Sequence, residues 1–172
     1  LLLSGVALAL HFAFWVSSLD HTSLAHSLLF VTAHPLVIIC GIAIFIRRPS
    51  KYEILGAVLG LSGAAITLLD IKDGGEVTLL GDTLAFLGAI TVVGYIVIGR
   101  VMRPWLPIFI YATPVTAIAA VLLIPLSYIL GENSTTFGWI DSSLLPCFLI
   151  LAFLAGLVGH TGLHACLMHL SP

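Results

Sequence analysis

Six stretches of this chain carry no Asp, Glu, Lys or Arg: Leu1–Leu19, Leu24–Ile46, Ile54–Leu69, Thr83–Gly99, Leu106–Leu130 and Leu144–Met168. A helix needs about 20 mainly apolar residues to cross a hydrocarbon core of about 30 Å, and each stretch reaches or approaches that length. The third is short, but its helix can borrow interfacial residues at either end. The connecting loops are short, so neighbouring spans form antiparallel hairpins. The expectation is an all-α, polytopic transmembrane helical bundle of about six spans, an integral multi-pass membrane protein. Composition agrees: 60% of the 172 residues are hydrophobic and 8% charged, with a mean hydropathy of +1.20. A soluble domain needs about a quarter of its residues charged to solvate its surface. The net charge of −2 supplies no basic stripe for a nucleic acid. Cys40, Cys147 and Cys166 lie inside apolar stretches and suit neither a disulfide framework nor a metal site.

Charge sets the orientation. Five of the six basic residues fall in two loops, Arg47, Arg48 and Lys51 in one, Arg100 and Arg103 in the other. Both loops should be cytoplasmic by the positive-inside rule. Alternation then puts Asp20, the Asp70–Asp82 loop with Lys72, and the Gly131–Ser143 loop on the far side. Tyr52 and Trp105 at one edge, and Tyr128 and Trp139 at the other, suit interfacial aromatic belts. Asn133-Ser134-Thr135 is a glycosylation sequon in a far-side loop.

Within the spans, Gly56-x-x-x-Gly60 and Gly60-x-x-x-Ala64 make a smooth ridge on which a neighbouring helix can pack closely. Pro35, Pro114, Pro125 and Pro146 should interrupt their spans, and the carbonyl each frees can line a cavity. His34-Pro35 and Thr113-Pro114 are the candidate bends near a pathway.

Ionisable groups inside a span are costly and usually face a cavity or a partner. Deep in the spans the exceptions are histidines, His11, His34, His160 and His164. An imidazole can stay neutral at modest cost and still exchange protons. His11 and His160 are candidates for a central substrate path. The alternative is that each histidine satisfies a backbone carbonyl or a hydroxyl between packed helices. Trp15, Tyr95 and Tyr111 offer polar-tipped aromatic surface to a cavity, or fill helix interfaces.

His11-Phe-Ala-Phe-Trp-Val-Ser-Ser-Leu19 reads against His160-Thr-Gly-Leu-His-Ala-Cys-Leu-Met168, each followed by a short polar close. The two spans start on opposite sides, and a repeat in opposite orientations marks many transporters. Leu10-His-Phe-Ala-Phe-Trp-Val-Ser-Ser-Leu-Asp-His-Thr-Ser-Leu-Ala25, continuing to Thr32-Ala-His-Pro35, resembles the third and fourth helices of the EamA-type family in the drug/metabolite transporter superfamily. Gly81-Asp-Thr-Leu-Ala-Phe-Leu-Gly-Ala-Ile-Thr-Val-Val-Gly-Tyr95, ending Gly99-Arg100, is similar to the opening of that family's second repeat. Gly159-His-Thr-Gly-Leu-His-Ala-Cys-Leu-Met-His-Leu-Ser-Pro172 is similar to its eighth helix. The resemblance spans almost the whole chain.

What it implies is a fold of ten helices in two inverted repeats. Residues 1–69 would end the first repeat, 70–82 form a non-cytoplasmic connection, and 83–172 begin the second. Leu1 in place of Met, and the apolar start and finish, lead to the expectation of a piece holding helices three to eight. The histidine content is richer than the family pattern, which leaves the substrate class open.

The function expected is secondary transport of small organic metabolites by alternating access. No Walker-type glycine-lysine loop appears, and no enzyme activity, cofactor or bound metal is called for. The partners expected are the lipid bilayer and a small-molecule solute, and a homodimer suits the same picture. Two other classes stay open. His160-x-x-x-His164 puts two imidazoles on one helical face, a spacing seen at metal sites, with Asp20, His21 and His26 as further ligands; paired histidines could also hold haem. A non-catalytic membrane scaffold is the third class.

Overall fold

The computed structural model describes residues 1–68, 76–129 and 144–166. Among them every regular element is helical: α1 (Leu2–Ser18), α2 (Leu24–Val31), α3 (His34–Phe45), α4 (Lys51–Leu68), α5 (Leu79–Met102), α6 (Ile108–Ile129), α7 (Leu145–Leu151), a π-helical segment (Ala152–Thr161) and α8 (Gly162–Cys166). Lys72, Trp139, the Asn133–Thr135 sequon, His169 and the side chain of His164 lie outside the described residues.

Among the described residues, three apolar helical stretches are long enough to cross a membrane: Leu24–Phe45, Leu79–Met102 and Ile108–Ile129. Leu2–Ser18 and Leu145–Thr161 are apolar but shorter. Their surfaces fit a lipid solvent, with Phe45 83%, Ile129 78% and Val101 64% exposed. A water-soluble monomer rarely exposes contiguous apolar patches on this scale.

Local chemistry sets the helix ends. Ser50 and Glu53 form a reciprocal cap at the start of α4. The Ser50 N–H donates to Glu53 Oε2 at 2.7 Å, and the Glu53 N–H donates to Ser50 Oγ at 3.2 Å, as in a Ser-x-x-Glu capping box. Thr78 starts α5 by accepting the Gly81 N–H at 3.1 Å. That cap draws Asp82, expected in the Asp70–Asp82 loop, into the first turn of the helix.

The prolines divide into two kinds. Pro114 and Pro125 lie inside α6. Pro146, expected to interrupt a span, instead sits in the first turn of α7, where a missing N–H leaves no bond unmade. Pro35 likewise occupies the first turn of α3, and the break precedes it at Thr32–Ala33.

Residue contacts group the chain into two compact units: residues 1–9 with 95–172, and residues 10–94. In the first, α6 buries Tyr111, Val115 and Ala119, three residues four apart along one face. A Cβ on Gly5 would come within 2.5 Å of Ile118 Cγ2, so α1 approaches α6 where only glycine fits. In the second, α4 packs on α2 and α3, and α1 packs on α5. A Cβ on Gly81 would lie 2.5 Å from Thr22 Cβ and 2.7 Å from the His21 carbonyl carbon. Ala85 and Ala89, both fully buried, continue this small-residue row along α5. The ridge singled out in the sequence behaves differently: a Cβ on Gly56 or Gly60 would meet nothing within 4 Å.

Candidate functional site

In the unit formed by residues 10–94, polar groups accumulate on α1 and its neighbours. His11 is buried, and its Nδ1 donates to the Gly88 carbonyl of α5 at 2.9 Å. That contact requires the Nδ1–H tautomer. Thr91 Oγ1 donates to the same carbonyl at 3.0 Å. One turn beyond His11, Trp15 stacks on its ring at 6.1 Å between centroids. Trp15 Nε1 is buried without a hydrogen-bond partner among the described residues. Near the end of α1, Ser18 Oγ lies 2.6 Å from Ser27 Oγ of α2, both residues fully buried.

The turn after α1 carries a second group. Thr22 Oγ1 donates to Asp82 Oδ1 at 2.9 Å, and His26 Nδ1 lies 3.4 Å from Asp82 Oδ2. Thr78 Oγ1 donates to the His21 carbonyl. A carboxylate in the first turn of α5 also meets the positive end of the helix dipole. Sequence reading did not assemble this cluster. The signal for it was Thr78 preceding an apolar run, a helix-start pattern that places Asp82 on α5.

His34 has a local role. Val31 closes α2, so its carbonyl is one of the terminal ones with no onward helical donor, and His34 Nδ1 lies 3.4 Å from that oxygen. Thr32 Oγ1 donates to the Leu28 carbonyl at 2.6 Å and to the Leu29 carbonyl at 3.2 Å. At the break in Leu24–Phe45 side chains thus bond the Leu29 and Val31 carbonyls, while the Leu28 carbonyl keeps the Thr32 N–H as well.

No family model matches the chain, and no curated protein or solved structure matches it. Function has to be read from the residues alone.

The unit of residues 1–9 and 95–172 brings together three of the residues singled out in the sequence. Tyr95 and Tyr111 stack with centroids 6.5 Å apart, and His160 meets Tyr95 edge-on at 5.9 Å. Ser4 Oγ and Tyr111 Oη share a 2.5 Å hydrogen bond, and Tyr111 Oη also lies 3.5 Å from the Tyr95 carbonyl. Tyr111 is fully buried and Tyr95 is 3% exposed, so the two rings fill a helix interface. His160 is carried by the π-helical segment, where Thr161 Oγ1 reaches the Gly156 carbonyl five residues back at 3.4 Å. Single π turns inside α-helices are frequent at functional sites. Among the described residues no three His, Cys, Asp or Glu side chains converge as metal ligands would.

Proposed function

We propose that the protein is a secondary transporter of small organic metabolites, of the EamA type in the drug/metabolite transporter superfamily. In this reading the chain supplies about six spans, α1 and the α7–π–α8 stretch being the shorter ones. It works by alternating access between inverted repeats and draws energy from a proton or solute gradient, or from exchange. The observation that carries the reading is the discontinuous apolar helix Leu24–Phe45, opened at Thr32–Ala33. Broken membrane helices are a recurring device of transporters, because they offer main-chain groups at mid-membrane depth. His11 and His160, at corresponding positions of the two repeats, are the candidate substrate-path residues.

The test is uptake by the purified protein in proteoliposomes, screened against amino acids, nucleotide-linked sugars and drug-like cations. Saturable uptake of one class is expected. It should fall sharply in Pro35→Ala, which lets α2 and α3 join, while insertion is unchanged. An inserted protein that moves none of these classes under a proton gradient of either sign overturns transport and favours a scaffold.

A further inference from the structure

Between α3 and α4 runs a groove of about 520 Å³, lined among others by Ile39, Ile42, Tyr52, Gly56, Gly60 and Ala64. We propose that this groove holds one acyl chain of an anionic phospholipid, with the phosphate at the Arg47–Lys51 end. Four observations converge on that occupant.

The first is length. Glu53 and Ala64 both line the groove, and eleven residues of helix rise about 17 Å. One leaflet of a bilayer is about 15 Å of hydrocarbon, so the groove serves one leaflet from the headgroup edge inward. The second is an open floor: a Cβ on Gly56 or Gly60 would meet nothing among the described residues within 4 Å.

The third is chemistry along the walls. The polar lining side chains lie at the ends: Thr32, with its hydroxyl bonded to the Leu28 carbonyl, and Tyr52 and Glu53 at the loop. A pocket for a polar solute needs convergent polar groups along its walls, and this one is aliphatic between its ends. The fourth is charge at the mouth. Arg47 is engaged by Glu53 through bonds of 2.7 and 3.0 Å, which leaves the exposed cations Arg48 and Lys51 as the net charge of this loop. Lys51 Nζ sits 5.2 Å over the Tyr52 ring, and Tyr52 itself lines the groove. Basic residues beside a membrane attract anionic headgroups.

The inference rests on the membrane reading and is independent of transport. The experiment reconstitutes the protein in phosphatidylcholine vesicles containing a phosphatidylglycerol probe with a diazirine on one acyl chain, and maps the labelled peptides by mass spectrometry. The exposed stretch Ile150–Leu154 serves as the internal reference for lipid contact. Labelling of α3 and α4 around Ile39, Ile42 and Gly60 should exceed that reference several-fold. Gly60→Leu, whose Cβ would meet nothing within 4 Å, should bring it down to the reference level. Arg48→Ala with Lys51→Ala should cost roughly fivefold per cation for this probe, with little change for a phosphatidylcholine probe. Equal labelling of groove and reference overturns the proposal. So does a groove shielded from the probe and cross-linked to a second copy. If neither segment is labelled, the membrane reading itself fails.

Discussion

Glu53 shows how much one side chain can organise at the edge of a span. Its carboxylate accepts from the Ser50 N–H and takes both arms of the Arg47 guanidinium. Arg47, and then Ser50, hold the carboxyl down from 4.5 to about 2. A depressed acid supplies its stabilisation above its unfolded value, about 4.3, and loses it as pH falls through about 2. Carbon-13 titration of Glu53 should therefore show it ionised throughout pH 7 to 4, with Arg47→Ala moving the midpoint up towards the ordinary range. The pair is exposed, so its effect on overall stability is small. Tyr111 is the opposite case. Tyr111→Phe should cost about 0.6 kcal/mol, and at most about 1.7, for a hydrogen bond between membrane helices. Tyr111→Ala should cost about 3–5 kcal/mol for the lost ring, so packing outweighs the hydroxyl; detergent-phase denaturation of both variants measures the difference. Some of this is legible in sequence. Pro35 disfavours a helical residue before it, so a bend at His34-Pro35 was inferable from sequence alone. The Gly88 carbonyl that holds His11 was not, because it lies 77 positions away.

Among elements, the apolar runs located the helices well, and the ends moved where a cap intervened. Small residues were harder to interpret. Gly56 and Gly60 have the spacing of a helix contact, yet they border open space. Gly81, Ala85 and Ala89 have the same spacing and are the ones buried. Spacing reveals a smooth face but not its partner, because the partner belongs to the tertiary fold. The two rows give opposite expectations. Gly81→Ala drives a Cβ into the backbone at His21–Thr22 and should cost about 1–3 kcal/mol. Gly60→Ala should be neutral, or gain about 0.4–1 kcal/mol from the stiffer unfolded chain. Thermal melts of the two variants in one detergent compare them directly.

For the whole molecule, the positive-inside expectation is testable by single cysteines placed in a background lacking Cys40, Cys147 and Cys166. Thiols at Arg48 and Arg100 should react from the same face of sealed vesicles, and one at Glu76 from the other; labelling of all three from one face would refute that topology. Residues 10–94 are contiguous in sequence, whereas the other unit joins residues 1–9 to residues 95–172. Ser4 and Tyr111 are 107 positions apart. At about 5–20 residues per second of synthesis, Tyr111 is made roughly 5–20 seconds after Ser4. The start of α1 must wait through that interval without the hydroxyl and the Ile118 contact that it meets in the finished fold. By then the whole of residues 10–94 has been made. Assembly therefore has a direction: residues 10–94 can close on themselves while residues 1–9 are still without the partners that residues 95–172 supply.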